Sequence, residues 1–385
     1  KFYVYLHKYT LMWNWIKSIF KPRVEPMNKI YIHAKNILHN YDYLWSLHPW
    51  ASLFPVLKSN AYGHWLELVT KILNKTDAPY LVVDSFPEYQ IVKKYSNKNI
   101  LLLWETLKRN YRKFNYSRTT FCVYNIETIN YLAKKNKHIK IHLFVDTGMH
   151  REWLTEEDLV NVLEFLKDYP KIEIEWVLSH FYDADNAKNN MEQQIEQFKK
   201  MYHAIVDYWY TPKRKHIWSS AWLVKMNDPF FNAYRPWLYL YWYTNLAHDD
   251  EAFELTRKLR PALTVNSRII SLREIQEWDG VSYNKTWKTD SKALIATIPF
   301  GYFEWLPRSA SNKIVFNYKK QYVRQVGNVC MNLCCAKIDK WELFDQIEII
   351  WLWWQNSIME LAKASWKSPY EILVWFDRNI RREII

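Results

Sequence analysis

The first residue in this chain whose type and setting could support covalent chemistry is Lys58, which closes the apolar run LFPVLK (53–58) inside PVLKSNAYGH. A neutral lysine amine condenses with a carbonyl to form a Schiff base, and burial is one way to make that amine neutral. If the run is a strand of a parallel barrel, its carboxyl end opens on the face where such barrels keep their active sites. On position alone, a strand-end lysine pointing into solvent is the competing reading. The four cysteines, Cys122, Cys330, Cys334 and Cys335, form no CxxC pair and no metal-ligand spacing. They read as reduced thiols of a cytoplasmic protein, with no metal site.

The elements that must position Lys58 follow from periodicity. Short apolar runs recur at LFPVLK (53–58), YLVV (80–83), ILLL (100–103), FCVY (121–124), IHLFV (141–145), WVLSHF (176–181), HIWSS (216–220) and LYLYW (238–242). Most gaps carry apolar residues at helical spacing, as in EEDLVNVLEFLKDY and NMEQQIEQFKKMYHAIVDY. Eight doubly buried strands alternating with helices predict an α/β fold, a (β/α)8 TIM-type barrel, over residues 29–262. After RPALTV the pattern changes to strands joined by short turns, such as KALIATIPF and QIEII, with a late helix around SIMELAKA. Residues 263–385 are therefore expected to form a mostly β C-terminal domain, and residues 1–28 an extension of unassigned role.

The net charge of +13 is spread along the chain and not gathered in a stripe or tail, so no nucleic-acid partner is expected. No run of 18 apolar residues exists, so no membrane helix is expected.

The composition holds one anomaly. The chain has 5 glycines and 22 tryptophans. An average chain of this length carries roughly 27 glycines, at about 7% of residues, which equals the two counts together. Tryptophan also falls where glycine is physically needed, after strand runs (Trp104, Trp242, Trp351) and in the turn-like EWDG at Trp278. The reading is that UGA codons specify glycine in this gene and are written here as tryptophan; the alternative is a genuinely tryptophan-rich protein.

PVLKSNAYGH resembles the pyridoxal-phosphate lysine motif of the alanine racemases, with Trp65 at the final glycine. The resemblance runs in order through VDTGMHREW, SHFYDAD, HIWSSAW, RPWLYLYW, WDGVSYNKTW, IPFGYFEWLPR and VGNVCMNL, covering about residues 29–385. Trp65, Trp153, Trp222, Trp237, Trp242, Trp278 and Trp305 sit at family glycines, whereas Trp287 matches a family tryptophan.

The resemblance implies pyridoxal 5'-phosphate bound through Lys58 and the interconversion of L- and D-alanine for peptidoglycan. It implies two bases, Lys58 on one face of the substrate and Tyr283 on the other, with Tyr283 supplied by the second subunit of a homodimer. It places His180 against that tyrosine and Arg235 against the cofactor's pyridine nitrogen. Tyr62, Ser220 and the backbone at Trp237 and Leu238 would hold the phosphate. Arg151 would bind the substrate carboxylate, near the backbone of Met331. Several positions depart from the family. Phe144 replaces a lysine that orients the carboxylate-binding arginine, Ser219 replaces Asn, Glu304 and Asn332 replace Asp, and His150 replaces Gly. Two alternatives stay open at this point: a racemase of another small amino acid such as serine, or a non-catalytic pyridoxal phosphate-binding protein. The C-terminal domain and its VSY segment weigh against the second.

Overall fold

The computed structural model describes residues 24–186, 191–218, 220–225, 227–244, 246–339, 342–350 and 354–385. The expected extension is thus described only from Val24, and Ser219 and Trp351 lie outside the described residues.

Six parallel strands form one continuous sheet: Tyr80–Val83, Asn99–Leu102, Thr119–Val123, Ile139–Phe144, Ile172–His180 and Arg214–Trp218, hydrogen-bonded in that order. Tyr80–Val83 and Thr119–Val123 are buried at every position, as strands covered on both faces must be. Ser52–Leu53 and Ala233–Tyr234 form a separate parallel pair. A bridge from Val56 to Val82 joins this pair to one end of the six. At the other end, the Lys215 N–H donates to Asn232 Oδ1 at 3.0 Å. The eight-stranded (β/α)8 architecture is present, drawn closed through two very short strands.

The last strand is not where the apolar run LYLYW suggested. Leu238–Tyr241 is a 3-10 turn, and the strand is Ala233–Tyr234. Trp176, inside the barrel, stacks at 4.3 Å on both Phe54 and His142. Beneath that stack, Glu175 accepts hydrogen bonds from Lys140 Nζ at 2.7 Å and the Tyr80 hydroxyl at 2.8 Å, so the buried carboxylate is paired, as burial requires.

The C-terminal half is built on a nine-stranded sheet. Strand Lys29–Ile32, from the beginning of the described chain, joins it, antiparallel to Leu263–Arg268 and parallel to Arg381–Ile384. Residues just ahead of this strand also pack there: Asn28 Nδ2 donates to the Pro299 carbonyl at 2.7 Å. Two late helices are present instead of one, Ile358–Ser365 and Pro369–Val374. The second opens with a reciprocal cap between Ser368 and Glu371. One large contiguous core runs through both halves, and Val281, Ala293, Ile295 and Val326 form a small separate cluster. No helix among the described residues is long and apolar enough to cross a membrane, and Cys122, Cys330, Cys334 and Cys335 are free thiols.

Candidate active site

Lys58 stands just past the barrel's first strand, where the backbone turns left-handed. Ser59, Asn60, Ala61 and Tyr62 have φ of 55°, 57°, 54° and 50°, and Gly63 follows at 80°. A left-handed conformation costs an L-residue roughly 1–2 kcal/mol, so this turn must be held from outside. Glu88 Oε1 accepts the Asn60 N–H at 2.9 Å, and the Asn60 side chain accepts the Leu66 N–H at 2.9 Å. Helix Pro369–Val374 presses on the turn from the C-terminal domain, so closely that a Cβ on Gly63 would lie 1.8 Å from the Leu373 carbonyl oxygen.

The turn aims the Lys58 amine at Trp104, whose ring centroid lies 5.6 Å from Nζ. The Arg151 guanidinium lies over the same ring at 5.5 Å and over Trp153 at 5.1 Å. Burial lowers the Lys58 pKa; Asp84 opposes that shift and Arg151 adds to it. The amine is thereby moved toward the neutral form that carbonyl chemistry needs.

Arg151 is steadied by its neighbour, since Nε and Nη2 both donate to the Glu152 carboxylate, Nη2 at 3.0 Å. Phe144 supplies no polar contact and stacks on Trp153 at 4.4 Å. Glu152 therefore holds the guanidinium by charge, a contact that reading the motifs had not singled out.

A second cluster lies on the other side of the barrel mouth. The Trp237 N–H donates to Ser220 Oγ at 3.2 Å, and Trp237 caps the short turn that begins at Leu238. The Tyr62 ring stands 6.4 Å from that of Trp237, and its buried hydroxyl has no hydrogen-bond partner among the described residues. A buried hydroxyl costs free energy unless something bonds it. With Ser220 and the Trp237 main chain nearby, such a hydroxyl belongs to a donor set that suits a phosphate. Tyr370 closes this cluster from the C-terminal domain, 6.3 Å from Tyr62 and 5.8 Å from Trp237. Its segment, SPYEIL, shows a helix start but nothing of where that helix docks.

Between the two clusters, His180 is buried at the end of its strand with its ring edge-on to Trp153 at 6.2 Å and Trp237 at 5.5 Å. Arg235 is buried below, and its Nη2 donates to the Ser179 carbonyl at 3.0 Å. Lys58, Arg151, Tyr62, His180, Ser220, Arg235, Trp237 and Leu238 are thus all gathered at one end of the barrel.

Tyr283 and Met331 belong to a different surface. Tyr283 is 67% exposed, and among the described residues its side chain makes no hydrogen bond or ring contact. Ser282, next to it, donates to the Asn328 carbonyl at 2.8 Å, and Phe303 donates its N–H to the Met331 carbonyl at 2.8 Å. Tyr302, Phe303, Met331 and Leu333 are exposed there as well.

Family models for the alanine racemase N-terminal domain and C-terminal domain match residues 32–245 and 262–384. The chain belongs to the alanine racemase family. The family's enzymes are isomerases, and the two models divide the chain between barrel and β domain. The alanine racemase of Borreliella burgdorferi is 29% identical over 368 residues, covering 92% of this chain and 96% of that one. The fold matches that of the alanine racemase from the D-cycloserine producer Streptomyces lavendulae, with a TM-score of 0.88 and 20% identity over 94% of this chain and 98% of the other. It also matches that of a Bartonella henselae alanine racemase carrying covalently bound pyridoxal phosphate, with a TM-score of 0.81 and 21% identity over 94% and 100% of the two chains.

Proposed function

We propose that this protein interconverts L- and D-alanine with pyridoxal 5'-phosphate held at the barrel mouth. The observation that carries the reading is the placement of Lys58, a partly buried amine of lowered pKa near the Arg151 guanidinium, together with the unpartnered Tyr62 hydroxyl. When bound, the cofactor delocalises the electrons left at the substrate Cα and so makes the α-proton acidic.

The protein's own groups do the rest. Lys58 would hold the cofactor at its carbonyl carbon, and its amine, when free, would take or return the α-proton on one face. Tyr62, Ser220 and the main chain at Trp237 and Leu238 would hold the phosphate. Arg151 fixes the substrate carboxylate by a planar fork suited to it. Arg235 would face the pyridine nitrogen and, as a guanidinium, would give up no proton there.

Inversion needs a second proton carrier on the opposite face, and Tyr283 is the candidate. Its exposure fits a homodimer in which each subunit's Tyr283 and Met331 complete the partner's barrel mouth. His180 would contact that tyrosine. The D-alanine formed would serve peptidoglycan synthesis, and the reading places the enzyme in the cytoplasm.

Mixing two inactive variants tests both function and sharing. Lys58→Ala and Tyr283→Phe should each lose racemisation of L-alanine. Co-refolded, they should regain it, because a mixed dimer holds one site with both native residues. Absence of activity in the native protein with cofactor added would end the proposal, and no recovery on mixing would end the shared site.

A further inference from the structure

Six tryptophans occupy backbone conformations that side chains avoid. Among the described residues, nineteen non-glycine positions have positive φ, and six of them are tryptophan: Trp65, Trp209, Trp242, Trp278, Trp305 and Trp366. Tryptophan is only 22 of the chain's 385 residues. When a non-glycine residue adopts positive φ, it is usually Asn, Asp or His, whose short side chains tolerate it.

Each site has its own reason to need glycine. Trp242 (φ 90°, ψ −21°) and Trp366 (φ 58°, ψ 40°) close helical segments as left-handed caps, the position glycine ordinarily takes. Trp209 (φ 69°) does the same just after helix Glu192–Asp207, its N–H donating to the Val206 carbonyl at 2.8 Å. Trp278 (φ 69°) is the third residue of a turn closed by the Asp279 N–H on the Gln276 carbonyl at 3.1 Å. A positive φ at that place calls for Gly or Asn. Trp65 (φ 75°, ψ 99°) and Trp305 (φ 103°) fall outside the left-handed well altogether.

Burial does not compensate at three of these positions, since Trp209, Trp278 and Trp366 are 93%, 70% and 88% exposed. Trp65 bears on the active site, because its N–H donates to the Asn60 carbonyl at 3.1 Å and so completes the turn after Lys58. Two of the six, Trp209 and Trp366, lie outside every motif that suggested a glycine, so the backbone makes the case without reference to a family pattern. Trp287 is the contrast: it lies in a strand, paired with Val281, with an ordinary φ.

We propose that these six positions carry glycine in the protein as it is synthesised. The inference rests on backbone geometry and stands whether or not the racemase reading does. Peptide mass spectrometry of the protein purified from its native source tests it. Glycine masses at positions 65, 209, 242, 278, 305 and 366, with tryptophan at 287, are expected. A tryptophan mass at any of the six overturns it. A second measurement needs no native material. Two synthetic genes, the chain as written and the chain with glycine at the six positions, are expressed in a host that reads UGG as tryptophan. The glycine version should melt about 10 °C or more higher. An equal or higher melting point for the chain as written overturns the proposal.

Discussion

Glu88 accepts the main-chain N–H of Asn60 at 2.9 Å and thereby ties the helix after strand Tyr80–Val83 to the left-handed turn that follows Lys58. The other carboxylate oxygen of Glu88 accepts the Asp84 N–H at 3.3 Å, so one side chain links two loops of the barrel mouth. The link bears on the turn that directly follows Lys58.

Glu88→Ala should therefore harm catalysis more than folding. Leaving the Asn60 N–H without its acceptor costs about 1–3 kcal/mol, which urea unfolding would register. Misaiming the lysine should lower kcat by roughly 10- to 100-fold. Glu88→Gln keeps an acceptor oxygen and should retain most of the rate; equal kcat for Ala, Gln and wild type would show that the turn needs no clasp.

Glu88 also gives stability a pH dependence. Burial, and then the Asp84 carboxyl beside it, push its pKa from 4.5 up to about 7. The folded protein holds this proton more tightly than the unfolded chain does. Its contribution to stability is thus fully present below pH 4.5 and is lost as the pH rises through about 7. The loss should reach about 3 kcal/mol at most. Glu348 is raised to about 7 by burial as well, so the useful quantity is the difference in unfolding free energy between wild type and Glu88→Gln. That difference should move against wild type between pH 5 and 8, and a flat difference would refute the assignment.

Gly63→Ala should be among the most damaging single substitutions in the protein. Its Cβ would meet the Leu373 main chain at 1.8 Å, where φ is already 80°. Backbone on backbone cannot be relieved by a rotamer, so a loss above about 3 kcal/mol is expected. Gly280→Ala, whose nearest neighbours would be Lys285 side-chain atoms and not main chain, at a residue without positive φ, should cost less in the same denaturant series.

Tyr370 should matter to cofactor retention despite lying near the chain's end. Its ring packs on Tyr62 and Trp237. Tyr370→Ala should weaken pyridoxal phosphate binding roughly tenfold, about 1.4 kcal/mol, as followed by absorbance on titration of the apo-protein. Unchanged affinity would show that the C-terminal helix only covers the site.

The parallel strands were legible in the sequence because burial on both faces writes itself as unbroken apolar runs, as in YLVV at 80–83. So were Lys58 and His180, because each closes or nearly closes an apolar run, whereas Arg235 was picked out only by the motif resemblance. The last strand was not, since Ala233–Tyr234 is too short to leave a pattern and the apolar run beside it serves a 3-10 turn. Nor were the contacts that hold the mouth together. Glu88 lies 28 positions from Asn60, and Leu373 reaches Gly63 from the other domain. Such pairs depend on how helices dock, which local periodicity does not encode. The excess of tryptophan could be counted in the sequence, but only the folded backbone, through its φ angles, showed which tryptophans stand where a side chain does not belong.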